Sequence, residues 1–430
     1  MIHTGVATAA ASFRYPVVLP SLKDARLHLA AVIISLQVLG QVAFDFDLSI
    51  AQILIAVGTC ALLELAIVFR QQQIIMWPAS ALLTGNGVAF VLRVPGTEHG
   101  DWWSLHGWWI FAGTAAVALL SKYVLRLRGE HIFNPSNIGL VLCFLILGSG
   151  RAEPLNFWWG PMDAWMAVAL AIIVLGGIAI LARLKLVTIA AGFWLAFAAS
   201  TGVLALSGHA MTARWHLGEI TGFTFWRILV TSPEILVFLF FMITDPKTSP
   251  KTTRARIVYS VSIALLATLT IAAVRTEYWS KVAVLGSLAI VCLVRALYRR
   301  FAPEIGLGRR WILVMAGALA LAYTGALYAA GIPARPHASA FRYRGPLPAI
   351  TILPSKGGLG SIGRKDAQRV VRDAMASLST VDRVRLHHVE IWLVPGTQDK
   401  TPVVRLLPQG AKVKLGLVEN GHFFIRRGGE

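Results

Sequence analysis

At 430 residues the chain is 56% hydrophobic and only 14% charged, with a mean hydropathy of +0.66, against about 25% charged residues in soluble domains. So little charge cannot cover a water-soluble body of this size, and the missing polar surface must face lipid. The net charge of +19 does not select nucleic acid as a partner, because its basic residues fall in short runs between apolar stretches, where they meet anionic headgroups.

Residues 1–26, with Arg14, Lys23 and Arg26 and no evident small-residue cleavage site, read as a cytoplasmic leader rather than a removed signal peptide. Eleven apolar runs follow, at 27–44, 48–69, 74–92, 108–125, 135–149, 164–182, 186–206, 228–244, 257–274, 282–298 and 311–330. Crossing about 30 Å of hydrocarbon takes about 20 helical residues, so the expected fold is an all-α polytopic membrane protein with eleven transmembrane helices. The fifth run is short and calls for tilt or partial re-entry. With the N-terminus inside, only Arg93, Arg151, Arg214, Arg227, Arg275 and Lys281 fall outside, and every other basic residue up to Arg310 falls on the cytoplasmic side. The outside loops carry acids and tryptophans instead, notably Trp102-Trp103 and Trp108-Trp109, which suit an interfacial belt. Cys60, Cys143 and Cys292 sit in apolar runs without metal-ligand spacing and read as buried small hydrophobes.

An odd number of spans sends the tail outside. A linker at 331–348 contains Pro333, Pro336, Pro346 and Pro348, and an extracytoplasmic α+β domain is expected over 349–430. Its elements are a strand at 349–353, a helix from Arg364 to Leu378, strands at 388–394 and 402–407, and a hairpin over 411–426 turning at Asn420-Gly421. His387 and His388 are adjacent, so a strand would place them on opposite faces, and no shared metal site is expected. Sixteen of the forty basic residues lie in this tail, which suits docking to an acidic partner or the membrane surface, or a merely solvated surface.

Three places inside the apolar runs carry polar or helix-breaking residues, which are costly in lipid and therefore informative. The third run has Pro78 and then Ala81-Leu82-Leu83-Thr84-Gly85-Asn86-Gly87. The fifth opens His131-Ile132-Phe133-Asn134-Pro135-Ser136-Asn137-Ile138-Gly139, in which Asn134 and Pro135 have the form of an N-cap with proline at the first helical position. The eighth contains Thr231-Ser232-Pro233-Glu234 and ends in Thr244-Asp245-Pro246-Lys247-Thr248-Ser249-Pro250, where Asp245-Pro246 stops the helix. The second and the last of these segments fall on the cytoplasmic side. Together they offer a helix N-terminus, amides, an aspartate and a lysine, able to hold the polar rim of a flat ligand or a phosphate. Glu234 lies about 15 Å into the bilayer at 1.5 Å per residue. It must be protonated, paired or facing water, and Glu64 in the second run obeys the same logic. Two readings stand for these acids: a proton or cation path, or neutral structural groups.

The segments Ser80 to Gly85, His131 to Ser136 and Phe241 to Pro250 resemble, in order, the signatures of the RnfD/NqrB family. That family comprises the D subunit of the Rnf electron-transport complex and the B subunit of the sodium-pumping NADH:quinone reductase. The wording of His131 to Gly139 and Ser232 to Pro250 is most similar to the UnbU-type branch of enediyne antibiotic gene clusters. The resemblance covers most of 27–300 and leaves the tail out. It implies a redox subunit of a multi-protein complex in the plasma membrane, with flavin, ion movement and partner redox or biosynthetic proteins. By the same resemblance, Thr84, Gly85, Asn134, Pro135, Ser136, Asn137, Thr244, Asp245, Lys247 and Thr248 are the candidate cofactor-binding residues. The family bonds FMN to a threonine nine residues before the threonine of Thr-Asp-Pro, and here that position is Ile235, which has no hydroxyl. Any flavin, riboflavin or FMN, is therefore expected to be held non-covalently; Thr224, twenty residues before Thr244, is a poor substitute. No metal is expected.

Interruptions in the third and eighth runs are the pattern of two inverted five-helix repeats with one helix appended. No GxGxxG or Walker segment supplies a soluble nucleotide site. The alternatives to a redox subunit are an ion or small-molecule transporter that has lost its covalent flavin, and a non-catalytic scaffold for a biosynthetic assembly.

Overall fold

The computed structural model describes residues 15–21, 24–44, 46–97, 99–155, 164–213, 220–301 and 317–326, and six strands of the tail as backbone. Two compact units divide the chain. One comprises 1–204, 226–270 and 281–324, and the other 205–225, 271–280 and 325–430.

The first unit is helical. Its principal helices are α1 (Ala25–Ala43), α2 (Ile50–Gln72), α3 (Ala79–Val91), α4 (Trp108–Val124), α5 (Pro135–Leu147), α6 (Ala164–Leu184) and α7 (Val187–Leu206). After these come α8 (Gly222–Thr231), α9 (Pro233–Val237) continued by a π-type turn over Phe238–Met242, α10 (Thr253–Ala272), α11 (Glu277–Phe301) and α12 (Gly317–Ala326). Among the described residues seven helices are long and apolar enough to cross a membrane: α1, α2, α6, α7, the 222–242 stretch, α10 and α11. Their outer faces are apolar. Leu62, Leu175 and Leu206 are 70%, 68% and 90% exposed, a surface that water would not tolerate over so many helices. The protein is membrane-embedded and mainly helical.

Local signals set the helix starts. Asp24 caps α1 by accepting from the Arg26 amide, and the Arg26 guanidinium holds the Asp24 carboxyl below its ordinary range. Ser49 and Gln52 form a reciprocal capping box on α2. The third apolar run differs from its expected extent, because Ile75–Met76 pairs in parallel with Val17–Val18 of the leader and the helix begins only after Pro78. The eighth run begins earlier than expected, at Gly222, and breaks where Ser232 accepts from the Ile235 amide and Pro233 opens a new helix. A π-type bond from the Ile243 amide to the Phe238 carbonyl follows.

Glycine permits two close crossings. A Cβ on Gly85 would stand 2.6 Å from the Ala56 carbonyl oxygen, so α3 rests directly on the backbone of α2; one on Gly139 would stand 2.6 Å from the Ala118 Cβ, bringing α5 against α4. The loop before α4 exposes Trp102 and Trp103. Ser49 pins it by donating to the Ser104 carbonyl at 2.7 Å, and Gln52 by donating to that of His106 at 2.7 Å.

In the second unit Ala210–Met211 pairs antiparallel with Ile220–Thr221, and Thr212 exchanges backbone bonds with Arg275 and Glu277. The tail strands Phe341–Tyr343, Ile350–Pro354 and Val389–Leu393 form one sheet, and Val403–Leu406, Lys414–Glu419 and His422–Arg426 an antiparallel second. The expected tail helix at 364–378, His387, His388 and the Asn420-Gly421 turn lie outside the described residues.

His209 in the second unit is buried against Phe225, ring centroids 5.2 Å apart, and its Nε2 has no hydrogen-bond partner among the described residues. Burial first, and Arg275 second, push its pKa down from 6.5 to about 4. The folded imidazole therefore resists a proton that the unfolded chain accepts. The stability it confers is complete above about pH 6.5 and is lost as pH falls toward about 4. Melting temperatures at pH 7 and pH ~4.5 should converge in His209→Phe relative to wild type; an equal drop in both proteins would contradict this.

Candidate functional site

The site forms where three separate segments meet in the first unit. Arg126–Leu127 pairs with Glu130–His131 in a hairpin whose two loop residues, Arg128 and Gly129, both have positive φ (50° and 83°). This is the geometry of a type I′ turn, which follows the natural twist of the strands. It turns His131 back toward the segment after the π-type turn. The His131 Nε2 lies 3.4 Å from Asp245 Oδ2, across 114 residues of sequence. Asp245 Oδ1 accepts from the Lys247 amide at 3.0 Å, which fixes the turn after the proline stop.

The third segment is the C-terminal half of α11. Cys292, Arg295, Ala296 and Arg299 follow the i, i+3, i+4, i+7 spacing of one helical face, and they line a cleft with Leu127, Glu130, His131, Ile132, Lys247 and Thr248. The cleft is small, with about 20 Å³ of water-accessible space, and is half open to solvent. Arg295 donates to the Thr248 carbonyl, and Arg299 lies 3.5 Å from Glu130.

Directly beyond the cleft, α5 begins as its residues demand. Asn134 Oδ1 accepts from the Asn137 amide at 3.1 Å and from the Ser136 hydroxyl at 2.9 Å, with Pro135 in the first helical turn. The Asn134 Nδ2 donates to the Met242 carbonyl at 3.4 Å, and the Asn137 Nδ2 to that of Leu285 at 3.1 Å. Asparagine thus ties α5 to the π-type turn and to α11. Among the described residues the Asn137 Oδ1 and, in α3, the Asn86 Nδ2 are buried without a hydrogen-bond partner. One is an acceptor and the other a donor, and each left bare costs about 1–3 kcal/mol.

The remaining expected residues are accounted for as follows. The Thr84 hydroxyl donates back to the Ser80 carbonyl at 2.9 Å, and Gly85 carries the α2 crossing; neither lines the cleft. The Thr244 hydroxyl donates to the Phe240 carbonyl, so it too is spent within its helix. Thr248 is buried and lines the cleft, while Lys247 is exposed at its edge. Ile235 is buried, and Thr224 is exposed on α8. All three cysteines are buried, Cys292 against the cleft.

Both intramembrane acids are paired. Glu64 accepts from the Lys122 ammonium and, at 3.0 Å, from the Tyr123 hydroxyl; Lys122 also donates to Ser80 at 3.1 Å. Glu234 lies 2.9 Å from Lys281, which donates as well to the Leu155 carbonyl at 3.1 Å. Sequence reasoning did not single out Glu130, Arg295, Arg299, Lys122 or Lys281. The arginines carried a usable signal, their spacing on one face of the tenth apolar run, but they served only to set orientation. The lysine partners left none, because the pairing spans 58 residues in one case and 47 in the other.

The sequence matches no family model and no curated protein. What the protein does is therefore argued from this geometry and from the resemblance of its motifs.

Proposed function

We propose that the protein is an electron-transport-type membrane subunit, similar to the RnfD/NqrB group, that binds a flavin non-covalently in the region where the His131 and Asp245 segments meet. The single observation that carries this reading is the meeting of the His131–Asn137 and Thr244–Thr248 segments through the His131–Asp245 and Asn134–Met242 contacts. A flavin ring presents hydrogen-bond donors and acceptors along one edge; the unpartnered Asn137 Oδ1 and Asn86 Nδ2 are one of each, buried on α5 and α3 outside the cleft lining, so a ring could reach them only if these helices part. When bound, flavin supplies one- and two-electron transfer, which no side chain here provides. The chain's own work is to orient it: Asn134 fixes the start of α5, Asp245 holds His131 at the rim, and buried Ile235 leaves no hydroxyl for a phosphoester bond.

The full reading has eleven membrane spans in the plasma membrane, with five-plus-five inverted repeats and one more helix. The N-terminus is cytoplasmic and the α+β tail extracytoplasmic. The start of α3 at Pro78 and the break at Ser232-Pro233 support the repeat, and the alternation of basic loops supports the orientation. Partners would be redox proteins, or biosynthetic proteins if the likeness to the enediyne branch extends to function. A transporter is the second reading, favoured by the two paired acids inside the helical unit.

Protein purified in mild detergent should be yellow, and Asn134→Leu should lose most of the pigment while remaining folded. A colourless wild type that keeps its fold would remove the redox reading and leave the transporter.

A further inference from the structure

We propose that the edge formed by the α6–α7 turn and the start of α10 binds an anionic phospholipid. Arg183, Lys185, Lys251 and Arg254 would hold its phosphate, and the outer faces of α7 and α10 its acyl chains. None of these four residues lines the His131–Asp245 cleft, so the inference stands apart from the flavin reading.

Arg256 builds the edge. It donates from Nε to the Pro250 carbonyl at 3.0 Å, and from Nη1 to the Lys185 carbonyl at 2.6 Å across 71 residues of sequence. Lys185 has a φ of 57°, the left-handed conformation that lets α7 start two residues later. Two segments far apart in the chain are thereby fixed side by side, and all four cations on them are exposed. Neither segment brings an acid to neutralise them, since none occurs from Ala164 to Gly218 or from Pro246 to Thr276. The acid next along the chain, Asp245, is engaged by His131 and by the Lys247 amide. Charge alone would suit any polyanion, but the surface just inward is apolar. Val187, two residues after Lys185, is 46% exposed, and Ile257 and Val258, one turn after Arg254, are 45% and 61% exposed. On a membrane-embedded body that apolar surface meets acyl chains, which puts the four cations at the level of the phosphates. A phospholipid satisfies both halves of the edge at once, whereas a soluble polyanion satisfies one.

The test is a native mass-spectrometric titration of the full-length protein in neutral detergent. The probes are dioleoyl phosphatidylglycerol and dioleoyl phosphatidylcholine, which share their acyl chains and differ in net charge. Wild type is expected to bind phosphatidylglycerol more tightly by about ten- to a hundredfold, each cation near an anionic headgroup giving roughly fivefold. Arg183→Gln/Lys185→Gln/Lys251→Gln/Arg254→Gln should bring the two affinities close to equality. Arg70→Gln/Arg126→Gln/Arg128→Gln/Arg300→Gln removes as many exposed cations elsewhere and should keep the preference. Equal affinities in wild type would overturn the site, and an equal loss in both variants would show diffuse attraction by net charge in its place. If the first variant does not fold, its two halves, Arg183→Gln/Lys185→Gln and Lys251→Gln/Arg254→Gln, decide. Each half should lose part of the preference, and an unchanged preference in both rejects the site. Poly-glutamate that raises the melting temperature of wild type more than phosphatidylglycerol does would assign the edge to an acidic protein and overturn the lipid.

Discussion

Glu64→Gln is expected to destabilise the folded protein by about 3–5 kcal/mol, the cost of leaving a buried charge without its partner. The Glu64 side chain is 3% exposed and that of Lys122 13%. Lys122 and the Tyr123 hydroxyl would each exchange a charged acceptor for a neutral amide oxygen, leaving the Lys122 charge uncompensated beside the Ser80 hydroxyl. The double replacement Glu64→Gln/Lys122→Met should recover most of the loss, since removing both charges also removes their desolvation cost. Denaturant unfolding of the detergent-solubilised protein, followed by tryptophan fluorescence, reads both. A single variant as stable as wild type, or a double variant no better than the single, would contradict the pairing. The pair joins α2, α3 and α4 through side chains alone, so its loss should loosen the region from which the His131 hairpin departs.

The second large effect is steric. Gly85→Val should cost roughly 1–3 kcal/mol or more, the range for overpacking a tight core. The first added carbon already meets the Ala56 carbonyl oxygen at 2.6 Å and the Val57 Cα at 2.7 Å. Both obstacles are backbone, so no rotamer change relieves them, and α3 must lift off α2. Gly113→Ala in α4 is the control, because nothing stands within 4 Å of its added carbon; there the helix should gain about 0.5–1 kcal/mol. Similar effects at the two positions would show that the α2 contact does not decide the loss at Gly85. Since Gly85 lies away from the cleft, the expected phenotype is instability rather than a specific loss of ligand.

Much of the helical framework was legible because hydropathy is a local signal. The starts of α2 at Ser49 and α5 at Asn134-Pro135 follow from capping chemistry written in a few adjacent residues. The break in the eighth run was legible from Ser232-Pro233 for the same reason. The late start of α3 was not, because it depends on Val17–Val18, more than fifty residues upstream, pairing with Ile75–Met76. The site divides in the same way. His131, Asn134, Asp245 and Lys247 stood out as polar groups at the ends of apolar runs. Arg295 and Arg299 looked like ordinary cytoplasmic charges, since only the packing of α11 beside two distant segments turns their face into a cleft wall. Thr84 and Thr244 looked like ligand groups, yet their hydroxyls are used on carbonyls four residues earlier, the usual refuge of a buried threonine in a helix.

A flavin held without a covalent bond is released by acid, so the purified protein is acid-precipitated and the flavin located while the intact chain is weighed by mass spectrometry. Flavin in the supernatant, about one per chain, with a polypeptide at the mass of its sequence is the result expected if the flavin is held without a covalent bond. Flavin that stays with the precipitated chain as added mass would contradict the non-covalent account, and a folded protein that yields no flavin would contradict the site itself.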